Sequence, residues 1–364
     1  MHGNLKSRPL TKTQPVTAVD NVARAVEALR RGKPVTIKAD ARFQMLAIET
    51  ATERGVAKLG RGAVLLLTHA RARTLKIRLY TSGVIALPIT ASTTLEALRA
   101  IADPTTDLRY PLKGPFNAVR DELPEGYASA VKLAKLAGLL PACIVYKKAV
   151  KGAVEIAASD IDNYDAELVR SLAIVTRARV PLEGAENTEL VAFRAGDSSP
   201  EHYAIIINAP PTNKAILTRL HSECFTGDLL GSLKCDCGSQ LRGAIEAISK
   251  AGGGILLYLA QEGRGIGLVN KLRAYRMQDQ GFDTLDANER LGFEPDERLY
   301  GIAARMLNLL GYNSVRLLTN NPDKVAALKA AGVKVTARVR HTFPDNPHNR
   351  AYLRTKATRA GHLF

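Results

Sequence analysis

Cys224, Cys235 and Cys237, three of the chain's four cysteines, crowd into the stretch HSECFTGDLLGSLKCDCG. Cys224 is expected to close a strand, and the other two follow in a Cys-Asp-Cys turn, so three thiolates can converge on one zinc ion. Gly238 lets the backbone approach closely there. Structural zinc sites normally close with four protein ligands. The nearest candidates for a fourth, His221 and Glu223, fall in no usual knuckle spacing. Three thiolates with a position left open for water are the donor set of a catalytic site. A structural metal site and three free thiols are the competing readings.

Three further stretches carry chemistry. LAQEGRGIGL (259–268) joins an expected strand to an expected helix. Its three glycines and Arg264 suit an anion cradle at a helix N-terminus, though an ordinary turn also explains one or two of the glycines. In TNNPDK (319–324), Asn321 suits an N-cap and Pro322 the first helical position. Lys324 in the first turn is unfavourable unless an anion sits above the helix end. FEPDERLYG (293–301) is expected to open another helix. Asp296 and Arg298 would not face one another on a regular helix, and a salt-bridged surface turn is the plain reading.

These loops need a scaffold. A chain of 364 residues is expected to form two domains of ordinary size. Apolar residues make up 46% and charged residues 24%, the balance of a soluble globular protein. No uninterrupted apolar run is long enough to span a membrane, and the polar, basic start MHGNLKSRPLTKTQP is not a secretory signal. Cysteines too close for a disulfide framework point to a reducing cytoplasm. The net charge of +16 favours anionic partners. Its densest stretch, from Arg54 to Arg78, lacks the interleaved aromatics that stack bases. Nucleic acid is therefore an unlikely partner.

Helical spacing places a helix over 19–32, with others expected at 93–103 and 127–138. Strands are expected at 33–39, 62–68 and 141–147. An acidic, turn-rich link spans 180–202. Beyond it, strands at 204–208, 215–222, 254–260 and 314–319 alternate with helices near 239–251, 267–280, 297–310 and 322–331. Such alternation argues for helices packed on a sheet, with ligands where strands end and helices begin. The expected architecture is α/β (α+β): a disordered lead-in over 1–18, then domains over 19–180 and 181–364, each a mixed sheet with packed helices.

RLHSECFTGDLLGSLKCDCGSQL, QEGRGIGL, KLRAYRMQDQGFDTLDAN, PDER, LLTNNPDK and YLRTKATRAGHL, in that order, resemble GTP cyclohydrolase II from about Thr218 to the C-terminus. That family begins riboflavin biosynthesis by opening the guanine ring of GTP at carbon 8, releasing formate and pyrophosphate. The resemblance implies that Cys224, Cys235 and Cys237 hold a catalytic zinc. It places Arg219, Leu220, His221, Ser222, Glu223, Gln240, Glu262, Gly263, Arg264, Thr284, Thr319 and Lys324 against GTP, and gives Tyr275 a part in positioning the attacking water. Asp296 is implied as proton acceptor and Arg298 as nucleophile toward the α-phosphorus. Arginine is almost never deprotonated, so a cation that neutralises the leaving pyrophosphate is the alternative role for Arg298. Magnesium on the triphosphate and a homodimer are also implied. Many family members carry a basic residue where this chain has Ala260.

The first half more faintly resembles 3,4-dihydroxy-2-butanone 4-phosphate synthase, through AVEALRRGKPVTI, LRAIADPTTDLRYPLKGPF and ASAVKLAKLAGLLPACIV. Where that family has an acidic run, this chain reads KADARFQMLAIE, keeping Asp40 and Glu49. EGYASA (125–130) stands in place of a histidine-threonine-glutamate run. Arg42, Phe43 and Tyr127 cannot replace carboxylates and a histidine in metal-assisted proton chemistry, so this half is expected to lack synthase activity. Two other readings of the whole chain are a GTP-opening paralogue serving another pathway and a zinc- and GTP-binding regulator without turnover.

Overall fold

The computed structural model describes residues 17–196, 200–359, 361 and 363; residues 1–16 of the expected lead-in lie outside the described residues. Thr17 starts the first helix, α1 (Ala18–Arg30). Its hydroxyl accepts from the Asp20 amide, and the Asp20 carboxylate accepts from the Thr17 amide, a capping box. Gly32 follows at φ 68°, where an added side chain would meet the Thr50 carbonyl oxygen at 2.6 Å.

After α1 come β1 (Val35–Lys38), β2 (Arg42–Ala47), α2 (Glu53–Val56), β3 (Val64–Thr68), α3 (His69–Thr74) and β4 (Val84–Pro88). They are followed by α4 (Leu95–Ala102), α5 (Tyr127–Leu136), β5 (Ala142–Tyr146), β6 (Val154–Ala157), α6 (Ala158–Asp162) and α7 (Tyr164–Ser171). The six strands pair in the order β4-β3-β5-β2-β1-β6, antiparallel except for β1 with β6. One face packs Ile37 and Met45 against Val22, Leu29 and Leu133. The other packs Leu65, Leu67, Ile85 and Ile144 against Leu98. Burial on both faces explains why β3 and β5 read as near-continuous apolar runs.

The second sheet takes β7 (Ala173–Arg179), β8 (Thr188–Arg194), β9 (His202–Ile207), β10 (Ile216–Ser222), β11 (Gly254–Leu259), β12 (Ser314–Leu318) and β13 (Lys334–Val339). Around it run α8 (Cys237–Lys250), α9 (Gly267–Gln278), α10 (Thr284–Arg290), α11 (Gly301–Leu309), α12 (Pro322–Ala330) and α13 (Arg350–Thr358). The order is β13-β12-β10-β11-β9-β8-β7; the first four strands are mutually parallel and the rest join antiparallel. Ala244 and Ile248 of α8 cover one face; Ile302, Met306 and Leu328 cover the other.

The two mixed sheets are the architecture expected. Two details differ. The supposed link over 180–202 contains β8, which pairs between β7 and β9 and buries Val191 and Phe193 in the core. Turn residues on both sides mask its alternation. β7 already belongs to the second sheet, so the change of sheet falls ahead of residue 181. The helix expected from 297 starts only at Gly301, which leaves 294–299 free to turn.

The sheets meet through Leu140, which packs among Ile266, Ala274, Met277, Leu291 and Phe293. Nearby, Arg71 is 1% exposed. It donates to both Asp107 oxygens at 2.7 and 2.8 Å, and Lys113 also reaches Asp107. Burial alone would raise the Asp107 carboxyl, but bonds from Arg71 and Lys113 hold it below its ordinary value. Asp107→Ala leaves two sequestered cations unpaired and is expected to cost about 3–5 kcal/mol. Urea denaturation checks this; a loss under about 1 kcal/mol contradicts it.

Candidate active site

β10 pairs in parallel with β11 on one side and β12 on the other, with Ser222 opposite Leu259 and Thr218 opposite Leu317. Their carboxyl ends therefore stop at one edge, and the loops beyond them meet. The Glu223 amide extends the pairing by donating to the Leu259 carbonyl at 2.8 Å. A cleft opens between these loops, lined by residues from all three.

The three sulfurs of Cys224, Cys235 and Cys237 lie within 4.8 Å of one another. Asp228 anchors the first of them: it accepts from the Cys224 amide, from Tyr258 Oη and pairs with His221 Nε2, each at 3.0 Å. His221 is thereby committed to Asp228, and its Nδ1 has no hydrogen-bond partner among the described residues. Gly227 is pressed against the cluster; a Cβ there would lie 2.7 Å from Cys235 Sγ and 3.0 Å from Cys224 Sγ. Hydrogen bonds from the Cys235 and Cys237 thiols, aided by Lys271, draw Cys224 far into the thiolate form. Sharing with Cys224 pushes Cys235 up to about 11. Three converging soft donors of this kind fit a divalent metal such as zinc.

Lys271 was not among the residues expected here. It reaches from α9 to Cys224 Sγ and Thr226 Oγ1, both at 3.0 Å, and to Glu262 Oε1 at 2.9 Å. The other Glu262 oxygen accepts from the Phe225 amide at 2.7 Å. The signal was present: Lys271 precedes Tyr275 by one helical turn, and residues so spaced share a face. Tyr352 and Lys356, which also line the cleft, carried no comparable signal.

The cleft is also cationic. Lys324, fully buried, donates to the Leu220 carbonyl at 2.9 Å. Burial pushes its pKa well below the ordinary value, and Arg298 and Arg219 add to the effect. Burial also brings Arg219 down to about 10. Arg219 donates to the Leu318 carbonyl at 3.0 Å and to Gln240. Cations buried this close together make a place for an anion.

Gly263 and Arg264 both turn left-handed, at φ 63° and 64°. Gly265 abuts Glu297, whose carbonyl oxygen would lie 2.8 Å from an added Cβ. The Glu297 amide donates to the Arg264 carbonyl at 3.0 Å, so the two loops lock together. Because 294–299 is not helical, Arg298 folds back onto Asp296 at 2.6 and 2.7 Å, the salt-bridged turn read from the sequence, although Arg298 itself is largely buried. Tyr300 also donates to Asp296, at 3.1 Å.

Of the residues singled out from sequence, the cysteines, Arg219, His221, Ser222, Glu223, Gln240, Glu262, Gly263, Arg264, Tyr275, Thr284, Arg298, Thr319 and Lys324 line one cleft. Leu220 is buried behind it, presenting its carbonyl to Lys324. Asp296 stands behind Arg298 in a smaller hollow that includes Lys132 and Lys135. The Ala260 amide donates to His202 Nδ1 at 3.0 Å.

Residues 173–340 match the family model for GTP cyclohydrolase II. The chain is 49% identical to the GTP cyclohydrolase-2 of Azospirillum brasilense, over 95% of this chain and 94% of that protein. It is 34% identical to the riboflavin biosynthesis protein RibBA of Cytophaga hutchinsonii, over 95% and 98% respectively. Among solved structures it is similar to RibBX of A. baumannii, a two-domain 3,4-dihydroxy-2-butanone 4-phosphate synthase. That likeness has a TM-score of 0.31 and 15% identity, over 82% of this chain and 93% of that one.

The contact at Gly227 makes a sharp prediction. Gly227→Ala is expected to force the sulfurs apart and weaken cobalt(II) binding, read as loss of the thiolate-to-metal absorption band. A wild-type cobalt titration would show that the cluster tolerates the methyl.

Proposed function

The chain belongs to the GTP cyclohydrolase II family, and from that premise we propose that it hydrolyses GTP to a 2,5-diamino-6-(5-phosphoribosylamino)pyrimidinone, formate and pyrophosphate, the first step of riboflavin biosynthesis. The observation that carries this reading is one cleft lined by both a three-thiolate cluster and buried cations. Two waters are consumed at carbon 8, opening the ring and freeing formate, and a third at the α-phosphorus. Cys224, Cys235 and Cys237 would hold zinc, which supplies a Lewis acid that lowers the pKa of water.

The remaining roles belong to the protein. Lys271 balances the charge of the thiolates and orients Glu262. Tyr275 lies above Lys271, 5.7 Å from ring centre to ammonium, where it can orient a water beside the cluster. Lys324 and Arg219 receive the triphosphate, with magnesium on it. Asp296 lifts the Arg298 pKa further above its ordinary value, although burial opposes this. A guanidinium made more basic is a poor nucleophile, so Arg298 acts here as the cation facing the leaving pyrophosphate. A homodimer belongs to the same reading.

In the N-terminal domain, taken as beginning after the lead-in, one of the two remnants of the acidic run, Glu49, is diverted. Glu49 accepts from the Leu140 amide at 2.9 Å and pairs with Arg273 of α9 at 2.9 Å. Phe43 packs edge-on against Tyr127, with ring centres 5.1 Å apart, where the synthase chemistry needs polar groups. We read this domain as a scaffold without synthase activity.

Cys224→Ser is expected to stop formate release from GTP while leaving some pyrophosphate release. Arg298→Ala is expected to slow pyrophosphate release by roughly a hundred- to a thousandfold, with partial rescue in Arg298→Lys. Wild-type pyrophosphate kinetics in Arg298→Ala would remove that residue from the mechanism, and a wild-type protein that binds GTP but releases no formate would be a regulator.

The full chain with magnesium is expected to form no dihydroxybutanone phosphate from ribulose 5-phosphate; its formation would reverse the scaffold reading. Glu49→Ala and Arg273→Ala, alone and together, should show a coupling of about 0.5–3 kcal/mol in stability. Strict additivity would mean the pair does not join the domains.

A further inference from the structure

The last described helix, α13, closes the cleft on the side the strand loops leave open. Two of its side chains, Tyr352 and Lys356, line the cleft, spaced one turn apart. Lys356 is buried and donates to Asp236 Oδ1 at 2.9 Å; its ammonium also lies 4.2 Å from the Tyr352 ring centre. Asp236 stands between two of the cysteines and precedes α8, so the contact ties α13 to the cysteine turn. Farther along, Arg359 pairs with Asp286 at 2.8 Å and with Asp283 at the start of α10, next to Thr284. The Leu363 amide donates to the Asn320 carbonyl at 2.8 Å, beside Thr319. The C-terminal segment is therefore fastened to three different walls of one cleft.

Fastening alone does not call for a buried lysine. An ammonium has three donors, and the Asp236 contact uses one. Arg219, Arg298 and Lys356 all lie close enough to Lys324 to press its pKa down. Placing a fourth cation among these costs stability unless a polyanion offsets it. Lys356 also lies near Cys237 as well as Lys324, and lines the same cleft.

We infer that α13 is the closing wall of the nucleotide pocket and that Lys356 is a substrate-binding residue for the phosphate chain, with Tyr352 packed under its ammonium. The inference rests on the GTP reading above. It adds a ligand contact from a segment that none of the strand-end loops supplies.

The test is calorimetric binding of the α,β-methylene analogue of GTP, and of guanosine, to the zinc-loaded full chain and its Lys356→Ala and Lys356→Arg variants. Lys356→Ala is expected to weaken the analogue on the order of 10- to 100-fold, the scale of a lost charged hydrogen bond. Guanosine binding and the cobalt(II) spectrum of the cysteine site should stay as in wild type, and Lys356→Arg should recover most of the loss. Undiminished analogue affinity in Lys356→Ala overturns the inference. So does an equal loss for guanosine with an altered cobalt spectrum, which would make Lys356 a prop for the cysteine turn through Asp236. If wild type neither binds the analogue nor releases formate from GTP, the nucleotide reading fails, and this inference fails with it.

Discussion

Parallel pairing of β10 with β11 and β12 is the constraint on which the site depends. Parallel neighbours must run in the same direction, so their carboxyl ends stop at one edge and each chain leaves through a loop there. β10 delivers Glu223 and Cys224, β11 delivers Glu262 to Gly265, and β12 delivers Thr319 to Lys324. No single loop contains both a thiolate cluster and a cation cluster. The strand order alone sets them in one cleft. The antiparallel strands β9, β8 and β7 extend the sheet on the other side of β11 and contribute buried apolar surface, including Phe193 and Ile206.

The cleft is built from contacts that a purely structural core would avoid. Lys324 and Arg219 are buried beside one another, and an added Cβ at Gly227 would nearly touch two sulfurs. Arg264 adopts a left-handed conformation that disfavours a side chain. Each feature costs stability, and the cost is carried by the apolar faces of two sheets. The same economy explains the paired behaviour of Lys271 and Glu262: a lysine against a thiolate and a carboxylate against a main-chain amide leave little unbalanced charge at the cysteines. The unbalanced positive charge is concentrated instead where Lys324, Arg219 and Arg298 meet, which is where a triphosphate is proposed to lie.

The fold and the loops were legible to different degrees, for physical reasons. Elements with strong periodicity or continuous apolar runs, such as α1, β3, β5 and β11, were plain from sequence. β7 and β8 were not, because β7 is largely exposed and the flanking segment is rich in turn residues. Loop residues that carry chemistry were legible because cysteines, glycines and an N-capping asparagine have few structural uses at such spacing. Lys271 and Lys356 were hidden because a lysine on an amphipathic helix is ordinarily solvated. Burial beside a carboxylate marks both; the spacing to Tyr275 was a sequence signal for Lys271 alone. The pairing of Asp296 with Arg298 was legible as a salt-bridged turn, because residues two apart cannot pair on a helix and can on a turn; the burial of Arg298 was not.

The N-terminal sheet shows how a domain can keep its fold after its own chemistry is proposed to have gone. Folding requires only the apolar faces and the capping groups, and these are intact in α1 and on both sides of β2, β3 and β5. A polar site that no longer binds a ligand is a liability, since unpaired buried carboxylates cost stability. In this chain Phe43 and Tyr127 pack together as apolar surface, and Glu49 is neutralised by Arg273 from the second sheet. Asn270 donates to the Gly138 carbonyl at 3.1 Å, and Lys135 pairs with Glu297 at 2.6 Å. The first of these contacts, like Glu49, falls on α9, which carries Lys271 and Tyr275; the second falls on the turn that carries Asp296 and Arg298. These contacts from the first sheet thus brace two of the elements that build the neighbouring cleft. That gives selection a reason to retain the domain independent of any substrate of its own.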